Sequence, residues 1–199
     1  MWQIMLQNLI NHSFRSMNLD QYSFFLSVSV LFVGSLTIIS LIGYILSSKF
    51  RKHIQNIPYF HFLKLIGFFA IFSTIAVLTY QLYYELEVCE LCWWQRIFMF
   101  PIDIIVLVSL YYKTKNNHVI IGILAAFGTF FAGYHYYYHF RGWVLGELVT
   151  LPCSIGGLLP ACTDNNGILQ FGFITIPFMA LVIFVAILWI SYMAHRSKK

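Results

Sequence analysis

The sequence predicts an all-α integral membrane protein with five transmembrane helices, its N-terminus outside and its C-terminus in the cytoplasm. Three observations carry this: an apolar composition, five windows of spanning length, and a one-sided distribution of basic residues. Of 199 residues, 60% are hydrophobic and 10% charged, with a mean hydropathy of +0.76. A water-soluble domain carries about 25% charged residues, so a soluble enzyme or nucleic-acid-binding module is excluded.

A helix crosses a bilayer with about 20 apolar residues. Windows of that kind run over 22–46, 65–84, 93–112, 119–138 and 171–193. The first is much longer than the apolar core of a secretory signal and follows about 21 residues of mixed polarity, so it is expected to be a retained span.

Lys and Arg near span ends stay on the cytoplasmic side. Lys49, Arg51, Lys52 and Lys64 lie between spans one and two, Lys113 and Lys115 between three and four, and Arg196, Lys198 and Lys199 after five. Those are nine of the twelve basic residues, so the net charge of +5 reflects topology. Arg15, Arg96 and Arg141 fall on the other side, together with all four cysteines, Cys89, Cys92, Cys153 and Cys162. Thiols there meet an oxidising compartment. The longest outer segment, residues 139–170, contains Pro152, Gly156, Gly157, Pro160 and Gly167, a loop composition.

The third span is introduced by Val88-Cys89-Glu90-Leu91-Cys92-Trp93-Trp94-Gln95-Arg96. A Cys-x-x-Cys pair at a helix start lies where the helix dipole and unpaired N–H groups favour a thiolate. Span three is expected to begin at Trp93, with Cys92 at or beside its N-cap. Arg96 falls one turn further on the same face, near enough to stabilise a thiolate or the oxygen of a reduced cofactor. The plainer alternative is an arginine reaching for lipid phosphate from the headgroup boundary. Met99 and Asp103 continue that face. An ionisable Asp103 near mid-membrane suits either proton delivery or a protonated carboxyl hydrogen-bonded to a neighbouring helix.

Cys153 and Cys162 sit in "CSIGGLLPAC", a glycine- and proline-containing loop able to bring them to bonding distance. They read as a structural staple or as one station of a thiol–disulfide exchange chain with the first pair. The "GYHYYYHFRGW" segment closes span four, its tyrosines and Trp143 suiting an interfacial belt. His135 and His139 share a helix face there. With the cysteines they permit a zinc site, although such ligands are scattered for zinc; His135 alternatively suits contact with a cofactor held between helices, or a plain place in the belt. No resident metal is expected.

In this ordered combination the sequence resembles the DsbB/BdbC disulfide-bond formation proteins, bacterial membrane quinone reductases that reoxidise a soluble thioredoxin-like oxidant. The resemblance rests on Cys-Glu-Leu-Cys followed by Arg96, the later pair Cys153 and Cys162, and "FGFITIPFMAL" opening the last span, the last feature being closest to the BdbC branch. It covers about residues 60 to 195. In the vitamin K epoxide reductase-like proteins, similar in chemistry, the loop pair precedes the Cys-x-x-Cys pair; here it follows.

The resemblance implies a four-helix bundle core over 60–199 with its outer loop at 139–170. Residues 1–59 then supply an outer tail, one extra N-terminal transmembrane helix and a cytoplasmic loop. It implies a thiol:quinone oxidoreductase of the bacterial cytoplasmic membrane. Its partners are a DsbA/BdbD-like thioredoxin-fold protein and the membrane quinone pool, and its cofactor is ubiquinone or menaquinone. Cys89 and Cys92 are implied to form the quinone-linked disulfide, with Cys92 contacting the quinone. Cys153 is implied to form the mixed disulfide with the partner, with Cys162 as its mate. Arg96 is implied to support quinone binding, and His135 falls near a family position beside the quinone. The extra first span and the short spacing of the loop pair depart from the best known DsbB pattern. Competing expectations are a membrane scaffold with structural disulfides and a reductant running in the opposite direction.

Overall fold

The structure is a computed structural model of the chain, and it describes residues 18–146 and 168–197. Cys153, Cys162, Arg15 and most of the 139–170 loop lie outside the described residues. The described residues form six α-helices: α1 (Leu19–Leu46), α2 (Ser48–Asn56), α3 (Tyr59–Leu82), α4 (Glu90–Tyr111), α5 (His118–His139) and α6 (Ile176–Arg196). All but α2 are long and apolar enough to cross a membrane, so the protein is an all-α bundle of five candidate spans.

Each helix boundary has a local cause. Asn18 caps α1 in a capping box with Gln21, satisfying backbone groups that would otherwise be orphaned. Ser47 accepts from the Phe50 N–H and starts the short, basic α2. Pro58 cannot donate a backbone hydrogen bond and marks the start of α3, which therefore begins earlier than the hydropathy window at Leu65. At α6, Phe171 and Gly172 both take positive φ, 53° and 77°, in a tight reversal. It is closed by paired hydrogen bonds between Gln170 and Ile174. Consecutive positive φ is the signature of a type I′ turn, where glycine is preferred. Pro177 then occupies the first turn of α6, where a missing N–H costs nothing.

Helix α4 differs from the sequence expectation. It begins at Glu90, not Trp93, so Cys89 is the N-cap and Cys92 lies within the first turn. The cause is Glu90, whose carboxylate favours the positive end of the helix, a term that hydropathy does not register.

Helix α6 is the central element: half of its apolar window is buried, against 17% for α1. Its most extensive contact is with α5, and it also packs on α3 and α1. Close approach depends on two glycines. A Cβ on Gly128 would sit 2.2 Å from the Phe184 ring of α6, and one on Gly67 would sit 2.7 Å from Val106 of α4. Helices in lipid associate by such backbone proximity, because lipid tails are as apolar as leucine. A stack of Trp94, Phe131, Phe98 and Phe127 joins α4 to α5, with ring centroids 5.3 to 5.8 Å apart.

The extra first helix is an outrigger on the four-helix core. Near its start the Tyr22 hydroxyl donates to the Ala76 carbonyl of α3, and the Tyr80 hydroxyl donates to Ser23 Oγ at 3.0 Å. Near its other end the Trp189 indole of α6 donates to Ser40. Gly128→Ala should destabilise the protein by about 1–3 kcal/mol through overpacking, lowering the thermal midpoint in detergent. The loss should shrink in a Phe184→Leu background, and an equal loss in both backgrounds would remove Phe184 as the cause.

Candidate functional site

The first turn of α4 faces an open cleft between α3, α4, α5 and the start of α6, enclosing about 920 Å³ including its mouth. The α3–α4 connection, Leu86 to Cys89, forms its rim, and Glu85 takes a φ of 54° where that connection turns. Met99, Phe100, Val77, Phe184 and Pro177 give it apolar walls. Its polar lining includes Cys89, Cys92, Gln95, Arg96 and His135.

Cys89 is buried and Cys92 is half-buried, their sulfurs 3.2 Å apart. The three N–H groups of Glu90, Leu91 and Cys92 precede the first intrahelical bond, which Trp93 donates to the Cys89 carbonyl. Both sulfurs therefore sit at the positive end of α4, which stabilises thiolate.

His135 reaches this turn from α5. It is 1% exposed, and its Nε2 lies 3.7 Å from Cys89 Sγ. Its Nδ1 lies 3.0 Å from the side-chain amide of Gln95. One imidazole thus links the amide of α4 with the buried cysteine, in whichever tautomer the amide selects. The interfacial-belt reading of His135 does not hold, because the ring points into the bundle and not toward the lipid boundary. His139, one turn on, also lines the cleft, its ring centroid 4.8 Å from that of His135. Beyond it, α5 passes into a π-helical turn over Phe140–Val144, an arrangement common beside functional sites.

Arg96 is 8% exposed, so it does not extend to lipid phosphate. Its guanidinium donates to Gln81 Oε1 of α3 and lies 5.2 Å from the Trp93 ring centroid. Its charge faces the cleft that holds both thiols, and a buried guanidinium there attracts an anionic sulfur or oxygen. Asp103 lies two turns deeper, where its Oδ2 accepts from the Thr74 hydroxyl of α3 at 2.6 Å. This is the interhelical hydrogen bond of one of the two sequence readings, and Thr74 itself lines the cleft.

The sequence reading did not single out Gln81 or Gln95. Each is a glutamine within an apolar spanning helix, and that isolation is the signal by which it was legible.

The family model for the disulfide bond formation protein DsbB matches residues 60–194. The chain belongs to the DsbB family. The match begins within α3, and α1 lies outside the matched residues. The SPbeta prophage-derived disulfide bond formation protein B of Bacillus subtilis (strain 168) is 34% identical over 139 residues, covering 69% of this chain and 88% of that protein. Disulfide bond formation protein C of the same organism is 35% identical over 100 residues, covering 50% of this chain and 67% of that one. A probable disulfide formation protein C 2 of Bacillus anthracis is 31% identical over 127 residues, 64% of this chain and 85% of the relative. No solved structure matches the chain significantly. As a DsbB-family member the protein is a multi-pass membrane oxidoreductase of disulfide bond formation.

Asp103→Asn retains an oxygen that accepts from Thr74, and it should leave the thermal midpoint in detergent nearly unchanged. Thr74→Val strips the buried carboxyl of its donor and should cost about 1–3 kcal/mol. Asp103→Asn should also leave disulfide-forming turnover within about twofold if the carboxyl serves only this hydrogen bond. A loss of tenfold or more, about 1.4 kcal/mol in the barrier, would instead assign it to proton delivery.

Proposed function

We propose that this DsbB-family protein takes electrons from a soluble thioredoxin-fold dithiol protein, passes them through its two cysteine pairs, and delivers them to a membrane quinone. The observation that carries this reading is the convergence of two thiols, a buried arginine and a buried histidine on one open, apolar-walled cleft.

The cleft fits a quinone by its donor set. A quinone is a flat apolar ring with polar oxygens, and apolar walls with few convergent polar groups suit such a ligand. Arg96 would hold an oxygen that gains negative charge on reduction, and Cys92, the more exposed thiol, would contact the ring. When bound, the quinone supplies the acceptor of two electrons and two protons that returns the dithiol to a disulfide.

The chain's own residues do the remaining work. A partner thiolate attacks the Cys153–Cys162 disulfide at Cys153, forming a mixed disulfide and releasing Cys162. The partner's second thiol resolves that bond, leaving the partner oxidised and the loop pair reduced. The loop dithiol then reduces the Cys89–Cys92 disulfide by the same exchange. The α4 N-terminus and Arg96 favour the thiolates formed at Cys89 and Cys92. His135 holds Cys89 in place through a contact fixed by Gln95. The direction follows from potentials, about 30 mV being worth roughly 1.4 kcal/mol in a two-electron exchange. Placement of the four cysteines outside a bacterial cytoplasmic membrane is supported by the bias of basic residues toward the opposite ends of the spans.

The 60–199 segment is read as the redox unit, with 1–59 as an addition. The Tyr22–Ala76 and Tyr80–Ser23 hydrogen bonds support a bracing role for α1, because Tyr80 also lines the cleft.

Cys92→Ser and Cys153→Ser should each abolish quinone-dependent oxidation of a reduced thioredoxin-fold substrate, and Cys153 should be trapped in a mixed disulfide with that substrate. Full turnover in both variants would overturn the reading and leave a scaffold with structural disulfides. Arg96→Gln should raise the KM for quinone by about tenfold or more, in keeping with a charged hydrogen bond of roughly 1.5–3 kcal/mol. The KM for the protein substrate should change little, and the opposite pattern would remove Arg96 from the quinone site.

A further inference from the structure

Cys89, Cys92 and His135 each offer one ligand atom, and these atoms lie within 4.8 Å of one another. The sequence places the ligands on two different spans, where they look scattered; the fold gathers them at one point. Tetrahedral zinc, with bonds of about 2.3 Å to sulfur and about 2.0–2.1 Å to nitrogen, sets two sulfurs about 3.8 Å apart and sulfur and nitrogen about 3.6 Å apart. The observed separations are 3.2 Å between the sulfurs and 3.7 Å from Cys89 Sγ to His135 Nε2. The third pair, Cys92 Sγ and the His135 ring nitrogen, lies within 4.8 Å, so a rotation of the half-buried Cys92 side chain has to move its sulfur about 1 Å toward the ring and about half an ångström away from Cys89.

The surroundings suit a metal ligand as well. A metal-bound histidine keeps its ring orientation by donating its other N–H to a neighbouring acceptor. Here His135 Nδ1 already faces the Gln95 amide at 3.0 Å, and a turn of that amide presents its oxygen. All three ligands line the cleft, and zinc takes water or a further side chain in its fourth position. Two thiolates cancel the charge of a divalent ion, so Arg96, in the same cleft, faces a neutral site.

We propose that the reduced Cys89–Cys92 pair and His135 form a Zn²⁺ site that exists only in the dithiol state and arrests the pair there. Binding changes no oxidation state: two thiol protons are released and two Zn–S bonds form. Oxidation to the disulfide removes both thiolates and therefore the site. Conversely, coordinated thiolates cannot form the disulfide until the metal leaves. Zinc is the fitting ion because two sulfurs and one imidazole match its borderline softness, and it has no redox chemistry of its own to bypass the pair. The binding stands on geometry alone; only its effect on turnover rests on the function proposed above.

The test uses the full-length protein in detergent carrying Cys153→Ser and Cys162→Ser, which leaves Cys89 and Cys92 as the chain's thiols. Zn²⁺ is titrated against a chromophoric chelator in the reduced and the oxidised protein. The expected result is one zinc per chain when reduced, none when oxidised, and affinity lower by at least tenfold in His135→Ala. Absence of binding, or equal binding in both redox states, overturns the proposal. X-ray absorption of the zinc-loaded protein with His135 intact provides a second reading that does not depend on the folding of His135→Ala. Two sulfurs and at least one nitrogen are expected in the first shell, and a shell without sulfur or without nitrogen overturns the assignment. In the unsubstituted protein, zinc should block reoxidation of the reduced pair by added quinone, and a chelator should restore it. Reoxidation at full rate in zinc-saturated protein overturns the arrest. Failure to reoxidise without zinc counts against the quinone reading and leaves the metal titration standing.

Discussion

A polar side chain on a helix surrounded by lipid has no water to fall back on and must find its partner inside the bundle. That constraint organises this protein. Gln95 and Arg96, adjacent on α4, are both buried, and they turn to different neighbours: Gln95 to His135 of α5, Arg96 to Gln81 of α3. Asp103, deeper on α4, turns to Thr74 of α3. Together these hydrogen bonds hold α4 between its neighbours in one rotational setting. The same setting aims the first-turn cysteines at the cleft.

The redox pair takes its character from three sources that coincide at one place. The helix end supplies unpaired N–H groups, Arg96 supplies a full positive charge, and His135 supplies an imidazole beside the more buried sulfur. The helix end and Arg96 direct positive charge toward the cleft, and the imidazole fixes the position of the more buried sulfur. The tight reversal at Gln170–Ile174 contributes from the opposite side. It brings Ile176 and Pro177 to the cleft at the start of α6, the helix that packs on α5, α3 and α1.

Much of this was legible in the chain itself. Five spans follow from hydropathy and length, and the Cys-x-x-Cys pair with Arg96 four positions later defines a chemical unit on one helix face. Helix starts were less legible where polar residues extend a span beyond its apolar window. At α4, Glu90 moves the N-cap from the region of Cys92 to Cys89. Residues 147–167, and with them Cys153 and Cys162, lie outside the described structure, so the loop pair rests on the sequence pattern.

By itself the sequence determined the membrane class, the number of spans and the redox-type spacing, because hydropathy, length and local i to i+4 geometry are properties of neighbouring residues. The tertiary structure alone decided that His135 faces Cys89, that Arg96 is held by Gln81, and that Asp103 is paired with Thr74. Each of these joins residues on different helices, and their meeting depends on how far each helix is rotated and how closely it approaches. Gly67 and Gly128 permit that approach, and no local pattern in the chain states which helix each will admit.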